Sequence, residues 1–159
     1  MPRRVPWAPM ALMALASGCS YAKAVTAGPA SADTRLTTSD IERANEVVRD
    51  VAHAFGLLPR RDPEYSWYLS HQSEAGGREI DRFTRASEDA EEAHGILLLV
   101  GVDEEGRAFF ALIRNWYTMG ETPFASRLSE AVAAALRREF PTWAVRVERL
   151  HDMPIFYVP

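Results

Sequence analysis

ILLLVGVDEEGRAFFALIRNW, residues 96 to 116, holds two apolar runs, Ile96 to Val102 and Ala108 to Trp116, joined by Asp103-Glu104-Glu105-Gly106. Runs of this length, bounded by turn residues and ending on a glycine suited to positive φ, predict a β-hairpin. Alternate residues of a strand point to opposite faces. Ile96, Leu98, Val100 and Val102 therefore lie on one face, and Leu97 and Leu99 on the other. The second run likewise places Phe110 and Leu112 opposite Phe109 and Ile113. Both faces of the hairpin are apolar, so both require cover.

The flanking sequence supplies two helices. Ile41, Ala44, Val47, Val48, Val51, Ala52 and Phe55 fall on one side of a helical wheel, and Glu42, Arg43, Asn45, Glu46, Arg49, Asp50 and His53 on the other. Ser39 and Glu42 have capping-box spacing at its start, while Gly56 and Pro59 end it. Beyond the hairpin, Thr122 and Pro123 open a second helix. Phe124, Ala125, Leu128, Ala131, Val132, Ala135 and Leu136 form its apolar face, and Pro141 stops it. Trp143, Val145 and Val147 alternate with Ala144, Arg146 and Glu148 as a strand. Tyr65 to Gln72 alternates in the same manner, and Ile80 to Arg85 offers a short strand within a loop-rich stretch.

This order predicts an α+β domain over residues 39–159, with two amphipathic helices packed on one face of a mostly antiparallel sheet of about 4–5 strands. The helices can cover one face of the hairpin. The other is left to Trp67, Ile80, Phe83 or Ile155-Phe156-Tyr157, or to a partner protein, a second copy or an apolar ligand. The aromatics Trp67, Tyr68, Trp116 and Tyr117 are the candidate interaction surface, because such residues are favoured at interfaces.

The amino-terminal end carries an address. A basic start (Arg3, Arg4), an apolar stretch from Val5 to Ala16 and the small residues Ser17 and Gly18 precede Cys19, the single cysteine. Leu15-Ala16-Ser17-Gly18-Cys19 resembles the lipobox of bacterial lipoproteins, with Ala16 where that family usually has Leu. The resemblance covers residues 1–19 alone. It implies a signal peptide over 1–18, an acylated Cys19 and membrane attachment through it, facing the periplasm. Ser20 goes with the outer membrane in the best-known members. An unpaired thiol in an oxidising compartment fits this reading, since lipidation consumes it. Ala14-Leu15-Ala16 also has the form of an ordinary cleavage site, which would release a secreted or soluble periplasmic protein. Residues 20–38, small and polar, read as a flexible tether reaching on the order of 25 Å.

Charge narrows the partners. Residues 1–18 hold two of the 18 basic residues, leaving 16 against 22 acidic ones and a net charge of −6. With no basic patch, nucleic acid is not an expected partner. The four histidines, His53, His71, His94 and His151, follow no metal-ligand spacing, so neither a metal nor another cofactor is expected. No nucleophile elbow or phosphate loop occurs. The acidic run Glu88 to Glu92 reads as a solvated loop.

These readings together describe a membrane-anchored envelope lipoprotein with a non-catalytic binding or assembly accessory domain, working with an envelope protein partner or as a homodimer. A periplasmic carrier of a lipid or other apolar ligand would instead need a cavity between helices and sheet. An envelope hydrolase would need converging polar groups around His71, His151 or the acidic loop.

Overall fold

The computed structural model describes residues 21–31, 33–60, 78–86, 91–115 and 121–150. In chain order the elements are β1 (Tyr21–Pro29), α1 (Thr38–Ala54), β2 (Leu57–Pro59), β3 (Arg78–Arg85), β4 (Ile96–Val102), β5 (Phe109–Asn115), α2 (Pro123–Glu139) and β6 (Trp143–Leu150). The strands form one sheet in the order β2-β3-β4-β5-β1-β6. Every pairing is antiparallel. The class is α+β, as the element order implies, but among the described residues the sheet has six strands rather than four or five.

The hairpin is the centre of that sheet. β4 and β5 pair from Ile96↔Asn115 to Val102↔Phe109, and Gly106 takes φ 67° in the turn. Asp103 caps the turn by accepting from the backbone N–H groups of Arg107 and Ala108 at 2.7 and 3.1 Å. One core cluster joins Val25, Phe83, Leu98, Val100, Phe109 and Ile113 of the sheet to Val48, Leu128, Val132 and Leu136 of the helices, all fully buried. Each such side chain contributes about 1.5–3 kcal/mol by leaving water.

The flexible tether over 20–38 is overturned by this fold. Tyr21 to Pro29 form an interior strand, paired with β5 from Tyr21↔Asn115 and with β6 from Ala22↔Leu150. Its small residues are what the site demands. Ala22, Ala24, Val25 and Ala27 are buried beneath bulkier neighbours, and a Cβ on Gly28 would stand 2.7 Å from the Arg107 carbonyl oxygen. Alternation of alanine with Lys23 and Thr26 carries little hydrophobic contrast, so this strand escapes a periodicity reading.

The caps are partly shifted from expectation. α1 begins one residue earlier than Ser39, and its capping box is Thr37 with Asp40 instead of Ser39 with Glu42. Thr37 Oγ1 accepts from the Asp40 N–H at 3.1 Å, and Asp40 Oδ2 accepts from the Thr37 N–H at 3.0 Å. The same reciprocal chemistry is thus served by a shorter acid two residues upstream. Gly56 follows the helix at φ 74°, and Thr122 with Pro123 opens α2, both as expected. Leu57–Pro59, not anticipated as a strand, pairs with β3. The alternating stretch Tyr65 to Gln72 and the segment Pro154 to Pro159 lie outside the described residues.

Candidate functional site

Three places in the fold bring polar or exposed side chains together. The first is the end of the sheet where β1 begins. Tyr21 lies opposite Asn115 there, and Asn115 lies opposite Ile96. Lys23 is directly across from Arg149 of β6, a like-charge pair that costs stability on its own. Glu121 offsets it, its Oε1 accepting from Lys23 Nζ at 2.7 Å. At the same end Arg127 of α2 bonds Glu92 at 2.7 Å, and the rings of Phe55 and Phe124 meet edge-to-face at 5.6 Å. The two helices are therefore joined where α1 ends and α2 starts.

The second is a groove of about 170 Å³ between the outer sides of the helices, with Val47, Val51 and Ala135 as its apolar part and Arg43, Glu46, Asp50, Arg138 and Glu139 around it. Arg43 Nε donates to Glu139 Oε1 at 2.6 Å and Arg43 Nη1 to Glu46 Oε2 at 3.3 Å. Those contacts, the hydrogen bond to Glu139 foremost, raise the Arg43 guanidinium above its ordinary pKa. A guanidinium is charged throughout the physiological range, so Arg43 acts here as a fixed cation. Its volume is below the roughly 300 Å³ at which small-molecule pockets begin. Its chemistry is that of an exposed ion-pair seam between helices.

The third is the sheet face turned away from the helical core. Ala22, Ala24, Leu97, Leu99 and Leu112 form a second cluster with Phe110 packed against it. Leu97, Leu99 and Leu112 are no more than 9% exposed, so this face is buried and not a bare patch. Gly101 makes room for an aromatic: a Cβ there would stand 2.5 Å from Phe110 Cζ and 2.6 Å from the Arg78 carbonyl oxygen. Arg114 belongs to the same face and is 3% exposed. Desolvation pushes its guanidinium below the ordinary value, without removing the charge. At the far side of this face, Arg82 and Glu79 of β3 form an ion pair across a β-bulge.

On the core side, Asp81 ties the sheet to α1. Its Oδ2 accepts from Arg49 Nη2 at 3.1 Å and from Asn45 Nδ2 at 3.4 Å. This explains why Asn45, assigned to the polar side of the helix by its residue type, is buried. A wheel cannot reveal such a residue, because its partner is 36 positions away.

Among the residues singled out from sequence, Cys19, Trp67, Tyr68, Trp116, Tyr117, His71 and His151 lie outside the described residues. His53 and His94 are exposed, on α1 and after a 3₁₀ turn over Glu91–Ala93. Glu91 and Glu92 of the acidic run are exposed as well. Among the described residues no three His, Cys, Asp or Glu side chains gather as metal ligands, and no helix is long and apolar enough to cross a membrane. No family of proteins, no curated protein and no solved structure matches the chain. The residues that sequence reasoning missed are Asp81, Arg114 and the whole of β1. Only Arg114 had a signal, a charge inside the apolar run FFALIRNW.

Proposed function

We propose that this chain is an envelope lipoprotein, anchored through an acylated Cys19, whose α+β domain serves as a non-catalytic binding or assembly accessory. The anchor rests on the basic start, the apolar stretch and the small residues before the single cysteine. The observation that gives the reading its mechanical content is the start of β1 at Tyr21. Two residues of extended chain reach at most about 7 Å. An acylated Cys19 therefore joins the bilayer to an interior strand of the sheet with no spacer between them.

A domain held this way cannot roam. The end of the sheet carrying Lys23, Glu121 and the Phe55–Phe124 contact lies nearest that anchor, and the β4–β5 turn lies at the opposite end. A short attachment suits a component that meets its neighbours close to the membrane surface. The apolar-carrier alternative finds less support, because the space between helices and sheet is filled by Val48, Phe83, Leu98, Phe109, Leu128 and Leu136, all fully buried.

Intact mass and membrane fractionation test the proposal. The protein expressed in a bacterium should begin at a lipid-modified Cys19 and sediment with membranes. Cys19→Ala should move it to the soluble fraction as a folded domain. A Cys19→Ala protein that stays on the membrane, with no lipid on the natural Cys19, defeats the anchor.

A further inference from the structure

Among the described strands β6 lies at one edge of the sheet, and its charges are in self-complementary order: Arg146 and Glu148 exchange places when the strand is reversed about Val147. Which way its peptide groups point follows from the turn. The Asp103 N–H donates to the Ala108 carbonyl at 2.9 Å, so these two residues face each other across the hairpin. Direction alternates along an antiparallel strand, and directly opposed residues either face each other or both face away. Phe109, Ala111 and Ile113 therefore turn toward β1. Their partners Ala27, Val25 and Lys23 turn toward β5, and Ala22, Ala24, Thr26 and Gly28 toward β6. Across the next ladder Ala144, Arg146 and Glu148 turn toward β1, which leaves Val145 and Val147 directed outward. The Val145 carbonyl agrees: it accepts from Arg137 Nη2, a side chain of α2, at 3.4 Å. Arg146 and Glu148 are exposed, and Trp143, Val145 and Val147 are half-buried at the margin of the core.

From this we propose that β6 pairs with β6 of a second copy of the chain, antiparallel and centred on Val147, joining two sheets into one. A two-fold axis normal to the sheet keeps the same face up in both copies, so only residues of equal parity can meet. Centring on Arg146 sets arginine against arginine, and centring on Glu148 sets glutamate against glutamate. Centring on Val145 leaves Arg146 opposite Ala144 and gives no ion pair. Centring on Val147 places Arg146 opposite Glu148 twice, Val145 opposite Arg149, and Ala144 opposite Leu150. Opposite charges directly across strands stabilise a ladder, whereas like charges oppose it. Charges on an edge strand commonly deter pairing with other chains. Here their order deters the neighbouring registers and favours one. Main-chain hydrogen bonds supply the affinity, as in strand addition generally, and the interface is isologous.

The register makes a covalent test available. Residues that exchange hydrogen bonds across antiparallel strands have Cα atoms about 5.5 Å apart, inside the roughly 4.4–6.8 Å a disulfide spans. Val147→Cys in the full chain, oxidised in intact cells, should run as a disulfide dimer on a non-reducing gel. The natural chain, with Cys19 alone, controls for linkage through that residue. Adding Glu148→Arg should lower the dimer yield about tenfold, since two attractive pairs become repulsive, and adding Arg146→Glu as well should restore it. Sedimentation of the detergent-solubilised natural chain should give twice the chain mass. A monomer in sedimentation, or cross-linking indifferent to Glu148→Arg, overturns the proposal. Neither readout depends on the lipid, so a soluble, uncleaved or unacylated product leaves this test intact.

Discussion

β4 and β1 lie either side of β5, each an interior strand of one sheet, yet they could hardly differ more as sequences. Ile96 to Val102 is bulky at every position but Gly101, and every residue in it is buried. Tyr21 to Pro29 is YAKAVTAGP, and its buried positions are mostly alanine. β4 would seek a partner surface in any context, because its apolar area is large on both faces. β1 is a strand because of where it lies. Its backbone completes the ladders of β5 and β6, and its small side chains fit where Phe109 and Phe110 already fill the space. Hydrophobic content measures what a strand contributes to the core, not whether its neighbours need it.

The largest test of that contrast is removal of residues 21–29. A tether could be deleted without consequence. Deleting an interior strand separates β5 from β6, and the expected outcome is loss of the cooperative thermal transition and of near-UV circular dichroism. A transition retained unchanged would return these residues to the role of spacer.

Gly28→Ala sharpens the comparison at single-residue scale. The added methyl meets the Arg107 carbonyl oxygen, a backbone atom that has no rotamer to escape through. Overpacking of this kind costs about 1–3 kcal/mol, measurable as a lowered midpoint in urea with an unchanged slope. A neutral result would mean that β1 does not lie against the β4–β5 turn region. The smallest effect marks the boundary where the N-terminal segment passes into α1. Thr37→Ala should cost about 1 kcal/mol through loss of the Asp40 contact, while Ser39→Ala should stay within about 0.5 kcal/mol. The reverse order would restore the capping box to Ser39.

Local chemistry made much of the molecule legible. The β4–β5 hairpin follows from two apolar runs around a glycine turn, and α2 follows from Thr122, Pro123 and the stripe Phe124 to Leu136. These features are decided within about four residues of themselves, by φ preference, capping and periodicity. The candidate site was far less legible. The Asp81 contacts to Asn45 and Arg49 span more than thirty positions, and the Lys23–Glu121 pair spans 98. Nothing in the spacing of such residues announces that they meet.

What the sequence determined by itself, then, was the existence of the hairpin, the two amphipathic helices and an α+β class. Periodicity and turn chemistry act over a few residues and need no distant partner. What only the tertiary structure decided was that residues 21–29 are an interior strand and that, among the described residues, the sheet has six strands with β6 at one edge and its charges in self-complementary order. These depend on which strand lies beside which, a choice made by long-range pairing, in which a polar, alanine-rich segment is accepted because its backbone and its size fit the gap.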